Sequence, residues 1–222
     1  MTAAPPLHQP LRFVAIEGPL RVGKTTLADL VADRLGAVRL RDVEDNPFLE
    51  SFYRGDAGAA FRTQLYFLWQ RFKQWQSLDF TGTANRIIVS DYLFAKDKIF
   101  AYLNLEDEEL QLYEGYYGLL AEQAPIPDLV IYLQAKPETL RERIGRKREA
   151  AEQEISDEYL EAVVEAYDHF FFHYHETNLL VVETSGIDFV EHGRDFEELL
   201  DRLSQPVKGT QYFLPLGSAP AD

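Results

Sequence analysis

The sequence predicts a three-layer α/β fold, with a five-stranded parallel sheet covered by helices on both faces. Three observations predict it. Short apolar runs of strand length alternate with longer segments whose apolar residues recur at helical spacing. A glycine-rich turn joins the first run to the first helical segment. The five runs end near Glu17, Val43, Asp91, Leu133 and Thr184, and the carboxyl edge of a parallel sheet is where its ligands sit.

The elements follow in order. FVAIE, residues 13–17, reads as a buried strand, and the helix after it carries Leu27, Leu30, Val31 and Leu35 on one face. Residues 37–43 read as a second strand. Residues 46–78 read as helix, broken near GDAG at 55–58. RIIVSD, 86–91, is a third strand that ends on an acid, followed by two helical stretches to about residue 123. IPDLVIYL, 126–133, is the fourth strand, and the helix begun by KPETL runs into a charged loop. Ser156 is placed to cap the next helix, with two acids in its first turn and Leu160, Val163, Val164, Tyr167, Phe171 and Tyr174 on its apolar face. NLLVVET, 178–184, is the fifth strand, and a last helix covers roughly 189–203. Residues 1–11 and 206–222 are Pro- or Gly-rich and are expected to be irregular tails around one domain at 12–205.

Composition excludes several function classes. A net charge of -15 repels DNA, RNA and anionic membranes, because affinity for polyanions comes mainly from Lys and Arg. The absence of cysteine removes disulfides, thiolate catalysis and thiolate metal sites. No apolar run has the length of a membrane span, and the start lacks the pattern of a signal peptide. A soluble, cytoplasmic protein is the expectation. His169 and His173 lie four apart on a helix, but no third ligand accompanies them, so packing is the expected role.

The strongest motif is GPLRVGKT, Gly18 to Thr25. Its two glycines bracket Pro19, Leu20, Arg21 and Val22 and are followed by Lys24, Thr25 and Thr26. Glycines let successive backbone N–H groups point inward as an anion nest at a helix N-terminus. Lys24 is then placed to reach the β- and γ-phosphates of a nucleotide, and the Thr25 hydroxyl to bind Mg²⁺. The motif follows a buried strand and opens a helix, which is the context it requires. Asp91, at the end of the third strand, is the candidate second Mg²⁺ ligand.

The acceptor is not given by this loop alone. FVAIEGPLRVGKTTL, VEDNPFLESFY and FRTQLYFLWQR, in that order, resemble the deoxynucleoside kinase family, nearest its bacterial deoxyadenosine/deoxyguanosine branch. The resemblance runs from about Phe13 to Val190. It implies a P-loop kinase fold with a short Arg-rich lid, ATP with Mg²⁺ as donor, a deoxynucleoside, favoured as a purine one, as acceptor, and a homodimer. It implies that Glu44 takes the proton from the 5′-hydroxyl, that Tyr53 touches the sugar 3′-hydroxyl, and that Gln64 pairs with the base edge. Asp91 and Glu152 join the substrate-binding set, Glu152 by its spacing before Tyr159. The lid arginines come from RERIGRKR, which holds Arg143, Arg146, Lys147 and Arg148. Counting back from Tyr159 puts Lys147 and Glu149 where arginines are usual, so the acting pair is offset to Arg146 and Arg148. A second departure lies at the third strand: the family commonly follows its acid with arginine, and here Tyr92 follows Asp91. Lys96 or a lid arginine is left to stand in.

Two rivals share the opening motif. A thymidylate or other nucleoside-monophosphate kinase needs basic residues for an acceptor phosphate, and only Arg62 and Arg71 lie near Gln64. A non-catalytic nucleotide switch has no use for the aromatic, glutamine-bearing stretch between Tyr53 and Arg71.

Overall fold

The computed structural model describes residues 11–78, 86–147, 155–187, 189 and 193–215. Its elements are β1 (Phe13–Glu17), α1 (Lys24–Leu35), β2 (Val38–Leu40), α2 (Leu49–Tyr53), α3 (Ala59–Ser77), β3 (Ile88–Ser90), α4 (Lys96–Asn104), α5 (Asp107–Ala121), β4 (Leu129–Gln134), α6 (Pro137–Lys147), α7 (Asp157–Phe172), β5 (Asn178–Glu183), α8 (Gly193–Leu203) and β6 (Thr210–Phe213). All strands are parallel, in the order β2-β3-β1-β4-β5-β6.

The sheet therefore has six strands where the sequence predicts five. β6 forms within the segment expected to be irregular, pairing Leu179 with Thr210 and Val182 with Phe213. Its TQYF is a short edge strand with no continuous apolar run, so hydrophobic patterning gives no strand signal there.

Side chains alternate across the sheet with a period of two, and each face builds its own core. Val14, Ile16, Leu129, Ile131, Leu133, Leu180 and Val182 pack with Leu27 and Val31 of α1, Leu140 and Ile144 of α6, and Leu199 and Leu203 of α8. Phe13, Ala15, Val130, Tyr132, Leu179 and Val181 face the other way. They meet Leu68, Phe72 and Trp75 of α3, Tyr113 of α5, and Tyr167 and Phe171 of α7. α7 starts where the sequence sets it, with Ser156 accepting a hydrogen bond from the Tyr159 N–H. This two-sided burial holds the carboxyl edge of β1, β2 and β3 rigid. Leu40 of β2 accepts from the Asp91 N–H at 3.1 Å, so the ends of β2 and β3 are tied together.

Gly18 is required by close approach. Its φ is 155°, and a Cβ there would collide with the Leu133 carbonyl oxygen and crowd Val22. Gly18→Ala is expected to cost about 1–3 kcal/mol, seen as a melting temperature lower by several degrees. Gly186→Ala, where a Cβ meets nothing within 4 Å, serves as the unchanged control.

Candidate active site

The turn between β1 and α1 has the geometry of a phosphate nest. Arg21 sits at φ 60° and Gly23 at φ 109°, positive values that turn successive N–H groups to one side. Gly23 is also the N-cap of α1, so the positive end of the helix dipole faces the loop. Lys24 Nζ donates to the Gly18 carbonyl at 2.7 Å and the Pro19 carbonyl at 3.0 Å, folded over the loop it would share with phosphate. Burial lowers the Lys24 pKa to about 8, against the raising influence of Glu17, Asp42 and Asp91. Glu17 is fully buried and anchors the edge. It accepts from the Gly18 N–H at 2.8 Å, the Leu93 N–H at 2.8 Å and the Tyr167 hydroxyl at 3.1 Å.

Beside the loop, one chain of polar contacts runs away from the phosphates. The Thr25 hydroxyl donates to Asp91 Oδ2 at 2.7 Å, and the Asp42 N–H donates to Asp91 Oδ1 at 2.5 Å. The Asp42 carboxylate takes Arg71 in a fork, Nε at 2.7 Å and Nη2 at 3.2 Å, and also accepts from Lys96 Nζ. Arg71 Nη1 pairs with Asp97 Oδ1. Arg71 and Asp97 are 4% and 1% exposed, so this is a buried ionic cluster.

Burial alone would raise the Asp42 carboxyl, but the charges of Arg71 and Lys96 outweigh it and hold the group well below the usual carboxylate range. Arg71 is likewise kept fully charged by Asp42 and Asp97 in spite of its burial. Asp97 moves the other way. Its burial dominates over Arg71 and Lys96 and lifts it to about 6. Asp97 Oδ2 is buried with no hydrogen-bond partner among the described residues, a polar atom left for something else to satisfy.

The predicted residues divide on this geometry. Gly18, Pro19, Leu20, Arg21, Val22 and Gly23 form the loop, with Lys24 folded over it, Thr25 joined to Asp91 and Thr26 exposed on α1. Asp91 bridges Thr25 and the backbone of the segment after β2. Gln64 is 4% exposed on α3, two turns from Arg71 on the same buried face. Glu44 is different. It lies exposed in the irregular stretch after β2, outside the ion cluster. β2 stops at Leu40, and Asp42, two residues before Glu44, is the acid that joins that cluster. Tyr53 is 45% exposed at the end of α2, tilted against Phe52. Arg143 is committed to the backbone, donating to the carbonyls of Val22 at 3.1 Å, Thr184 at 2.7 Å and Ile187 at 3.2 Å. Arg146 is exposed at the end of α6, and Arg148 and Glu152 lie outside the described residues.

Sequence reasoning missed Arg71, Asp97 and Asp42. Arg71 carried a readable signal, standing seven residues after Gln64 and in register with Leu68, Phe72 and Trp75 on the buried face of α3.

A phosphate nest set beside buried acids and cations, at the carboxyl edge of a parallel sheet, defines a phosphate-loop phosphotransferase. Comparison with known proteins narrows the class. The family model described as deoxynucleoside kinase matches residues 14–208. The deoxyguanosine kinase of Bacillus subtilis is 33% identical over 87% of this chain and 96% of its own. The deoxyadenosine/deoxycytidine kinase of the same organism is 27% identical over 90% and 94%. In fold, the chain resembles the solved deoxyadenosine kinase of M. mycoides with bound dATP, with a TM-score of 0.73 at 24% identity, covering 87% of this chain and 100% of that one. The chain belongs to the deoxynucleoside kinase family and is an ATP-dependent deoxynucleoside kinase.

The cluster makes a stability prediction. Arg71→Met leaves Asp42 and Asp97 without their shared partner, and removing one side of a buried pair typically costs about 3–5 kcal/mol. Chemical denaturation should show a loss of that size, whereas Arg54→Met, which breaks only surface pairs with Glu50 and Asp56, should stay within about 1 kcal/mol of the parent.

Proposed function

We propose that the enzyme transfers the γ-phosphoryl of Mg²⁺-ATP to the 5′-hydroxyl of a purine deoxynucleoside, with Glu44 as the base, in cytoplasmic nucleotide salvage. The observation that carries this reading is the phosphate nest with the polar chain beside it, which joins Thr25, Asp91 and Asp42 to Arg71 on the buried face that also carries Gln64. Glu44 stands two residues beyond Asp42, exposed and outside the ion pairs that occupy both Asp42 oxygens.

In-line transfer proceeds through a loose transition state, so catalysis is mostly positioning and charge stabilisation. Proton loss from the acceptor comes late, and a weakly basic but ionised and well-oriented carboxylate suffices. Lys24 exchanges the Gly18 and Pro19 carbonyls for the terminal phosphates. Thr25 and Asp91 are the residues that would hold Mg²⁺: a hydroxyl and a carboxylate 2.7 Å apart, both hard oxygen donors. The ion supplies neutralisation of the triphosphate charge. Gln64 reads the base edge with one acceptor and two donors, and the unpartnered Asp97 Oδ2 accepts a donor from the same base. Arg146, exposed at the end of α6, is the arginine that meets the phosphates.

The purine preference is supported by the 33% identical relative, a deoxyguanosine kinase. A homodimer is supported by an apolar face on α4 and α5, where Tyr102, Leu112, Tyr116 and Leu119 are at least half exposed. An acceptor that already carried phosphate would face Asp42 and Asp97, which argues against a monophosphate kinase.

Labelled γ-phosphate transfer across the four deoxynucleosides and their ribose counterparts tests the reaction, with the deoxypurines expected to be the best acceptors. Glu44→Gln should lower kcat by roughly 10²–10⁴-fold with ATP binding retained. Unchanged turnover in that variant would remove Glu44 from the base role.

A further inference from the structure

We propose that Arg21 is a catalytic residue: its guanidinium binds β- and γ-phosphate oxygens of the donor and offsets the charge that builds up on them during transfer. The role presupposes the phosphoryl transfer proposed above and adds to it a side chain, inside the loop itself, that touches the donor.

Backbone geometry singles the residue out. Every described residue with a positive φ is a glycine except Arg21, at 60°. A left-handed backbone crowds Cβ against the following carbonyl, and arginine lacks the short polar group with which asparagine and aspartate offset that cost. Such a conformation persists only where its surroundings enforce it. Here they do. Gly18 approaches the Leu133 carbonyl, the Val22 N–H donates to the Pro19 carbonyl at 3.4 Å, and Arg143 Nη1 holds the Val22 carbonyl at 3.1 Å. Val22 is 2% exposed in the core, and Leu20 packs against the same cluster. The turn is therefore fixed on both flanks of position 21, and a glycine at 21 would fit it without strain. Arg21 is half-buried between these two core-facing residues. What an arginine adds to the turn is its guanidinium.

The charges around the loop give that group a task. Lys24 is acted on by three carboxylates, those of Glu17, Asp42 and Asp91. Arg143, the arginine behind the loop, is committed to the carbonyls of Val22, Thr184 and Ile187. A triphosphate entering the nest thus meets an ammonium that already faces three acids. Arg21 stands in the wall of the nest, between its two glycines, and is charged at every working pH. Its planar fork takes two phosphate oxygens at once, which an ammonium does not. In the loose transition state, negative charge lies on the γ-oxygens and on the oxygen that leaves with the β-phosphate. A cation fixed there binds the transition state more tightly than the ground state. The P–O bond to the β-phosphate breaks as the bond to the 5′-oxygen forms, and the arginine stays protonated throughout.

The test uses the full chain with Arg21→Gly, Arg21→Met and Arg21→Lys. It reads steady-state kinetics with Mg²⁺-ATP and a deoxynucleoside, equilibrium binding of Mg²⁺-ATP and Mg²⁺-ADP, and thermal melting. Arg21→Gly and Arg21→Met are both expected to lower kcat roughly 10–10³-fold. Arg21→Lys, which keeps the charge but not the fork, should fall between them and the parent. Both neutral variants should weaken binding of Mg²⁺-ATP more than that of Mg²⁺-ADP, because the γ-phosphate loses a contact. Arg21→Gly should melt no lower than the parent, since glycine accepts the backbone that arginine resists. A kcat within tenfold of the parent in either neutral variant overturns the proposal; a loss confined to one of them belongs to the backbone. Equal weakening of Mg²⁺-ATP and Mg²⁺-ADP overturns it too, as does a melting temperature several degrees lower in both variants, which would make Arg21 a structural residue. A parent chain that transfers no phosphate to any deoxynucleoside overturns the phosphoryl-transfer reading, whereas an active parent with normal variants overturns this inference alone.

Discussion

The carboxyl edge of the sheet depends on one buried ion pair, Arg71 held between Asp42 and Asp97. It joins the loop after β2 to α3 and α4, where Asn46, Gln74 and Lys96 add single side-chain contacts. A charged guanidinium that is 4% exposed is tolerated only where acids and hydrogen bonds replace its lost water, and here two carboxylates do so. The arrangement is worth more for geometry than for stability. A hydrophobic substitute for all three side chains could pack as well, but it would leave the segment from residue 41 to residue 48 without a charged fixed point.

That fixed point sets the spacing of the reaction. Thr25 belongs to the helix that follows the phosphate loop, Asp91 to the end of β3, and Asp42 to the end of β2. Two hydrogen bonds connect them. The phosphate loop and the segment after β2 are thus tied together by neighbouring strands of one sheet. A transition state with little covalent participation from the protein gains most from such fixed distances and fixed charges. The depressed pKa of Asp42 follows from the same contacts: the cations that aim it also keep it ionised.

Local, contiguous signals were legible in the sequence. The phosphate loop could be read because its glycines, lysine and threonine perform their work within eight residues, between a strand and a helix. Ser156 could be read as a cap for the same reason. Non-local partnerships were not. Arg71 and Asp97 come from different helices, and only the fold brings them together. β2 was read as running to Val43, three residues past its end, so the ion cluster that Asp42 joins was not foreseen. Tyr92, where the family commonly has arginine, is a buried packed ring. β6 stayed invisible because an edge strand of four alternately exposed residues carries too little apolar surface to mark itself.

The most direct measurement of the central claim is a crystal structure of the enzyme with a deoxynucleoside, Mg²⁺ and a non-hydrolysable ATP analogue. The account predicts the 5′-hydroxyl within about 2.6–3.2 Å of a Glu44 carboxylate oxygen and in line with the γ-phosphorus. A Glu44 carboxylate directed into solvent, away from the sugar, would contradict it.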